Sequence, residues 1–157
     1  MQADAPTSQP GSDLPVAGNG GAPAQTTRTG ISLTLAASAD APTLARRAAA
    51  DALGHWGQDR RDIALLVISE LVTNAVRYGA RGHGDRVSLS VRHRDGTTRI
   101  EVTDRRARGG AVAESWPRGS GGQRSGWGLP IVAELTDRWG VEHGPGRTCV
   151  WCEIDCA

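Results

Sequence analysis

Glu70 and Asn74 stand four residues apart in the run Ile63-Ala-Leu-Leu-Val-Ile-Ser-Glu-Leu-Val-Thr-Asn-Ala-Val-Arg-Tyr78. Nearly everything around them is apolar, and the run is long enough to form a helix. At about 100° per residue, positions four apart share a helix face. A carboxylate beside a carboxamide on an otherwise apolar helix needs a reason, and a general base beside a magnesium ligand is one such reason. With Glu70 at zero, Asn74 falls at about 40°, Arg77 at about −20°, Thr73 at about −60° and Ser69 at about −100°. These side chains make one polar arc, and Ile, Leu and Val fill most of the rest. A helix with one solvated face gives the same arc. Composition favours the chemical reading. A solvated face usually carries Lys, Glu and Gln, whereas Asn and two hydroxyls are poor helix formers.

Three other segments hold residues suited to chemistry. Asp104 closes an alternating strand, after Ile100 and Val102, just before a long loop. A carboxylate there can accept a hydrogen bond from an exocyclic amine such as that of adenine; a turn aspartate ending a strand is the ordinary alternative. Gly126-Trp127-Gly128-Leu129 precedes Pro130, which a helix tolerates only in its first turn. Two glycines permit close backbone approach, and free N–H groups with the helix dipole favour phosphate. The segment is neither a GxxxxGK[ST] loop nor a dinucleotide fingerprint following a strand. Gly146-Arg147-Thr148 opens the last apolar strand. Thr148 there either reaches a base through its hydroxyl or is an ordinary β-branched strand residue.

The elements that must position these residues follow from patterning. Ile31, Leu33 and Leu35 alternate with Ser and Thr and predict a strand. Asp40 can cap a helix with Pro42 in its first turn and Gly54 at its end. A second helix is expected from Gln58 to Tyr78, with Gly79 as its stop. Val87, Leu89 and Val91, then Ile100 and Val102, flank Asp95-Gly96 and predict a hairpin. Residues 105–125 hold five arginines and five glycines without periodicity. Loops of that length are usually functional or disordered. A third helix follows, with apolar positions Ile131, Val132, Leu135 and Trp139, and then closing strands at Val141 and Thr148–Ile154. Strands in antiparallel runs between helices predict an α+β two-layer sandwich: a mixed, mostly antiparallel sheet with helices packed on one face. Residues 1–30 hold Pro6, Pro10, Pro15, Pro23 and five glycines, with few large apolar residues. That segment is expected to be a disordered tail, and the folded domain to occupy 31–157.

Taken together, these motifs resemble the GHKL (Bergerat-fold) ATPase superfamily. They are most similar to the histidine-kinase-like ATP-binding domains of bacterial anti-sigma regulatory factors of the serine/threonine kinase type. The resemblance covers about residues 31–155. Glu70-Leu-Val-Thr-Asn74-Ala-Val-Arg77-Tyr-Gly79 matches the N box, which implies Glu70 as general base and Asn74 as Mg²⁺ ligand. Glu101-Val-Thr-Asp104 matches the start of the first glycine box, which implies that Asp104 binds the adenine amine. Gly126-Trp-Gly128-Leu129 matches the second glycine box at the phosphate end of a lid. Gly146-Arg-Thr148 matches the closing strand start. One departure stands out: the first glycine box reads Asp104-Arg-Arg-Ala-Arg-Gly109-Gly110, with Arg106 where the family has its first glycine. Lid arginines such as Arg124 can neutralise phosphate charge.

The resemblance implies ATP and Mg²⁺ as ligands and serine/threonine kinase activity toward an anti-anti-sigma (STAS) protein, with a sigma factor as the sequestered partner. The family often forms homodimers. Arg106 motivates an alternative, a nucleotide-gated binding module with little or no kinase activity.

Bulk properties narrow the rest. A formal net charge of +1 implies no nucleic acid as a direct partner. No apolar stretch has membrane-spanning length. No basic-then-apolar N-terminal signal is visible. Cys149, Cys152 and Cys156 crowd the last nine residues, with His143 nearby. A structural zinc site wants four ligands at compatible spacing, so the first two read better as small hydrophobes on a strand. An odd thiol count without an export signal reads as cytoplasmic.

Overall fold

The computed structural model describes residues 22–27, 30–79, 84–105 and 128–155. The elements are β1 (Ala22–Thr27), β2 (Gly30–Ala36), α1 (Ala41–Ala52), α2 (Gln58–Asn74), a π-helical turn (Ala75–Gly79), β3 (Arg86–Arg94), β4 (Thr97–Arg105), α3 (Gly128–Leu135), β5 (Arg138–Gly144) and β6 (Arg147–Asp155). The strands form one six-stranded sheet in the order β1-β2-β3-β4-β6-β5, and each neighbouring pair is antiparallel. The α+β two-layer sandwich expected from the patterning is the observed fold.

Period-two alternation sets the inner face of the sheet. Ile31, Leu33, Val87, Leu89, Val91, Ile100, Val102, Val150, Cys152 and Ile154 are buried there, against the helices. α1 lies on β2 and on α2, α2 on β4 and α3, and α3 on β5. In α1, Ala41, Ala45 and Ala49 repeat every four residues and are fully buried. Small side chains on that stripe let α1 approach α2 closely. α2 is buried on several sides, through Ala64, Leu65, Val67, Ile68, Leu71 and Val72. A helix hydrophobic almost all round belongs in the middle of a layer. The β3–β4 hairpin turns at Asp95 and Gly96, with φ of 51° and 78°. Both central residues take left-handed backbone, as a two-residue hairpin whose twist matches its strands requires.

Four expectations are corrected. β1 lies inside the segment read as tail, with Ala22 opposite Thr34 and Thr27 opposite Gly30. An edge strand is joined by backbone hydrogen bonds, so its composition need not announce it. Asp40 occupies the α1 N-cap position, but its side chain makes no cap hydrogen bond. Gly79 does not stop a plain α-helix: the α-helix ends at Asn74 and a π-turn carries the chain on to Gly79. Trp139 is not on the third helix, which ends at Leu135. The Thr136 hydroxyl donates to the Val132 carbonyl at 2.7 Å, and Trp139 lies on β5, 37% exposed.

The outer face of the sheet carries a ladder of charges. Arg99 donates to Glu101 at 2.8 Å and to Glu153 at 2.9 Å, and its guanidinium lies 4.2 Å from the Trp151 ring centroid. Arg138 donates to Glu153 at 2.7 Å and to Asp155 at 2.6 Å. These hydrogen bonds hold both carboxyls below their usual range, with Arg138 the leading cause for each.

Candidate functional site

The site begins at the C-terminal end of α2. Glu70 is half-buried, and Asn74, four residues on, is 5% exposed as the last α-helical residue. The expected polar arc is narrower than the wheel suggests. The Ser69 hydroxyl donates to the Leu65 carbonyl at 2.8 Å, and the Thr73 hydroxyl to the Ser69 carbonyl at 2.7 Å. Both hydroxyls are turned back on their own helix, a habit that tends to bend it. What remains of the arc is Glu70, Asn74 and Arg77, with Arg77 exposed in the π-turn. Such turns insert one extra residue per hydrogen-bonded loop and recur at functional sites. This one packs against β4.

The floor of the site lies on the neighbouring strands β4 and β6. Asp104 near the end of β4 and Thr148 near the start of β6 are direct cross-strand partners. Asp104 is 1% exposed and Thr148 2%. The Thr148 backbone N–H donates to Asp104 Oδ1 at 3.1 Å. Burial of a carboxylate is costly unless hydrogen bonds compensate it. Gly79 lies against this carboxylate. A Cβ built on it would collide with Asp104 Oδ2 and lie 2.5 Å from Cγ and 2.8 Å from Cβ.

α3 supplies the remaining wall. Thr136 and Asp137 alone join it to β5, on which it packs, so the helix runs back over the sheet. Its N-terminal residue Gly128 therefore points toward the end of the sheet that holds Thr148. Leu129 behind it is 4% exposed. Gly126 and Trp127 lie outside the described residues, as do Arg106, Gly109, Gly110 and Arg124. Of the residues singled out from the sequence, Asp104 and Thr148 are brought into contact, and Glu70, Asn74 and Arg77 share the end of one helix. Gly79 is the residue whose part the sequence did not disclose; a glycine closing the Glu70–Asn74 motif was the available signal.

The donor set suits a nucleotide with its metal. Asp104 is a buried carboxylate, and the bare Cα of Gly79 lies directly against it. Asn74, buried, is the last residue of α2 and carries a carboxamide. Among the described residues no cluster of three or more His, Cys, Asp or Glu is placed to hold a metal. Magnesium needs none, because it is typically bound by one or two protein groups plus substrate phosphates and water. Cys149 and Cys152 do not share a ligand shell. The β6 register points Cys149 outward beside Glu142, while Cys152 is buried inside, where burial pushes its thiol up to about 12.

The fold and site define an α+β domain whose candidate residues lie at the C-terminal end of α2 and on the paired strands β4 and β6. The sequence matches the model of the histidine kinase-like ATPase domain over residues 35–154, and the chain belongs to that family. Nucleotide binding goes with membership. Among solved structures, the chain is similar to the RsbU and RsbW domains of Rv1364c from Mycobacterium tuberculosis, with a TM-score of 0.58 and 24% identity. The match covers 80% of this chain and 31% of that one. At that identity the likeness concerns the fold. No curated protein matches the sequence. Among the described residues, no helix is long and apolar enough to cross a membrane.

Proposed function

We propose that this chain is an ATP-dependent serine/threonine protein kinase that acts as an anti-sigma factor, with an anti-anti-sigma (STAS) protein as its substrate. The observation that carries the nucleotide part is the buried Asp104 carboxylate held by the Thr148 amide, an acceptor suited to the adenine amine. The kinase part is supported by Glu70 standing one helical turn before Asn74. The partner assignment is supported by the family, by the motif order Glu70–Asn74, Asp104, Gly126–Gly128, Thr148, and by likeness in fold to an RsbW-containing structure.

In this reading Asp104 fixes the base and Thr148 lines the floor beside it. Asn74 would hold Mg²⁺, which would neutralise charge on the phosphates. Glu70 takes the proton from a serine or threonine hydroxyl of the protein substrate as that oxygen attacks the γ-phosphorus, whose bond to the β–γ bridging oxygen breaks to release ADP. Gly128 at the start of α3, with Gly126 and the lid arginines, faces the phosphate oxygens with N–H groups and positive charge.

Incubating the chain with labelled ATP, Mg²⁺ and a STAS-domain protein tests this. Transfer of label to a serine or threonine is expected. Glu70→Ala should lower the transfer rate by roughly 10²–10⁴-fold while calorimetry still shows ATP bound. Binding without transfer in the wild type would instead identify a nucleotide-gated binding module. An absence of heat and of thermal shift with every adenine nucleotide would sink both.

A further inference from the structure

Gly79 is a glycine whose backbone does not require one. Among the described residues, left-handed glycines are Gly84, Gly96 and Gly146, and Gly79 is not one of them. It sits in a π-helical turn, where alanine is the better helix former. Space explains it better than conformation. A Cβ there would meet Oδ2, Cγ and Cβ of Asp104 together. Rotating the carboxylate would relieve the first two contacts, but not the third. Asp104 Cβ is fixed by β4, which is paired on both sides, to β3 and to β6. The carboxylate is also 1% exposed and tied through Oδ1 to the Thr148 amide, so it has no solvent into which to swing. The π-turn that follows Asn74 is what delivers this bare Cα to the strand.

We propose that Gly79 is a positioning residue for Asp104. By leaving the carboxylate undisplaced, it sets the pocket's preference for a purine carrying an exocyclic amine over one that lacks it. The proposal rests on the nucleotide reading above. A site built to hydrogen-bond a polar group rejects the analogue lacking it, because its own polar atoms are then buried unmatched.

The test compares the wild type, Gly79→Ala, Asp104→Gly and the double variant, each as the full chain. Calorimetry measures affinity for ATP and for purine riboside triphosphate, which has no exocyclic amine. The wild type should prefer ATP by ~10-fold or more. Gly79→Ala should bring the two affinities to within ~3-fold of each other and lower the melting temperature, against the direction helix propensity predicts. In the Asp104→Gly background the same glycine change should leave the preference as it is and should not lower the melting temperature, because the collision partner is gone. A Gly79→Ala chain that keeps the wild-type preference overturns the proposal. So does a glycine effect of equal size with and without the Asp104 side chain. If Gly79→Ala fails to fold, the double variant should fold; its failure too would mean that Gly79 serves something other than Asp104. A wild type that binds neither nucleotide removes the nucleotide reading, while the coupled melting temperatures still decide whether Gly79 positions Asp104.

Discussion

The two faces of β4 treat charge in opposite ways. Thr98, Ile100, Val102 and Asp104 point inward and are all within 1% of complete burial. Arg99 and Glu101 alternate with them on the outer face, where they meet each other and cross-strand partners. Outside, a carboxylate finds an arginine within 3 Å and keeps contact with water. Such ladders contribute little to stability, because exposed pairs gain modest Coulomb energy and lose side-chain entropy. Inside, Asp104 gives up water and is held by a backbone amide and the shape of a glycine. A stability argument alone would place an apolar residue there. The contrast sets a buried carboxylate held by a backbone amide against exposed ones paired with arginines, and the proposed function gives the inner one its use, a contact to the base.

Substitutions can break or sharpen that contrast. The largest effect is expected from Ile100→Ala, which opens a cavity between β4 and the helix layer. It should cost about 2–5 kcal/mol in urea unfolding, whereas Thr103→Ala, on the outer face of the same strand, should fall within about 0.5 kcal/mol. Similar losses at the two positions would mean that the faces are not differently buried.

Asp104→Asn comes next. It retains one acceptor for the Thr148 amide but sets an NH₂ where the base amine should donate. ATP affinity should fall roughly 10-fold or more with the melting temperature little changed. Glu101→Gln on the outer face should leave ATP affinity as it was. Equal affinity before and after Asp104→Asn would remove that residue from the adenine pocket.

The smallest effect belongs to the ladder. Glu153 and Asp155 have folded-state pKa values below their ordinary ones, chiefly through hydrogen bonds from Arg138. Their contribution is therefore present above the ordinary carboxylate range and is lost as pH falls through the folded-state values. Arg138→Ala should lower the melting temperature slightly at neutral pH. The gap to wild type should shrink in high salt and narrow as pH falls below the ordinary carboxylate range. A gap that persists in acid would assign Arg138 a packing role instead.

Much of the site was legible because its signals are local. Helical period put Glu70 and Asn74 on one face, and two-residue alternation placed Asp104 at a strand end. Asp95-Gly96 announced its hairpin through backbone conformations few other pairs adopt. The misreadings have physical reasons as well. Ser69 and Thr73 looked like site residues because a wheel cannot show a hydroxyl turned back to its own carbonyls. Trp139 continued the apolar spacing of the third helix although the chain had already turned into β5. β1 escaped notice because backbone pairing, not side-chain burial, attaches an edge strand.

By itself, then, the sequence determined the elements, the alternation of the sheet and the identity of the groups able to do chemistry. These depend on periods of two and 3.6 residues and on turn conformations, all short in range. Only the tertiary structure decided that the Thr148 amide holds a carboxylate 44 residues away, because the pairing of β4 with β6 depends on register between distant segments. It also decided the meaning of Gly79. A glycine kept for space carries no mark in the chain, since the atoms that would collide with its missing side chain arrive from another strand.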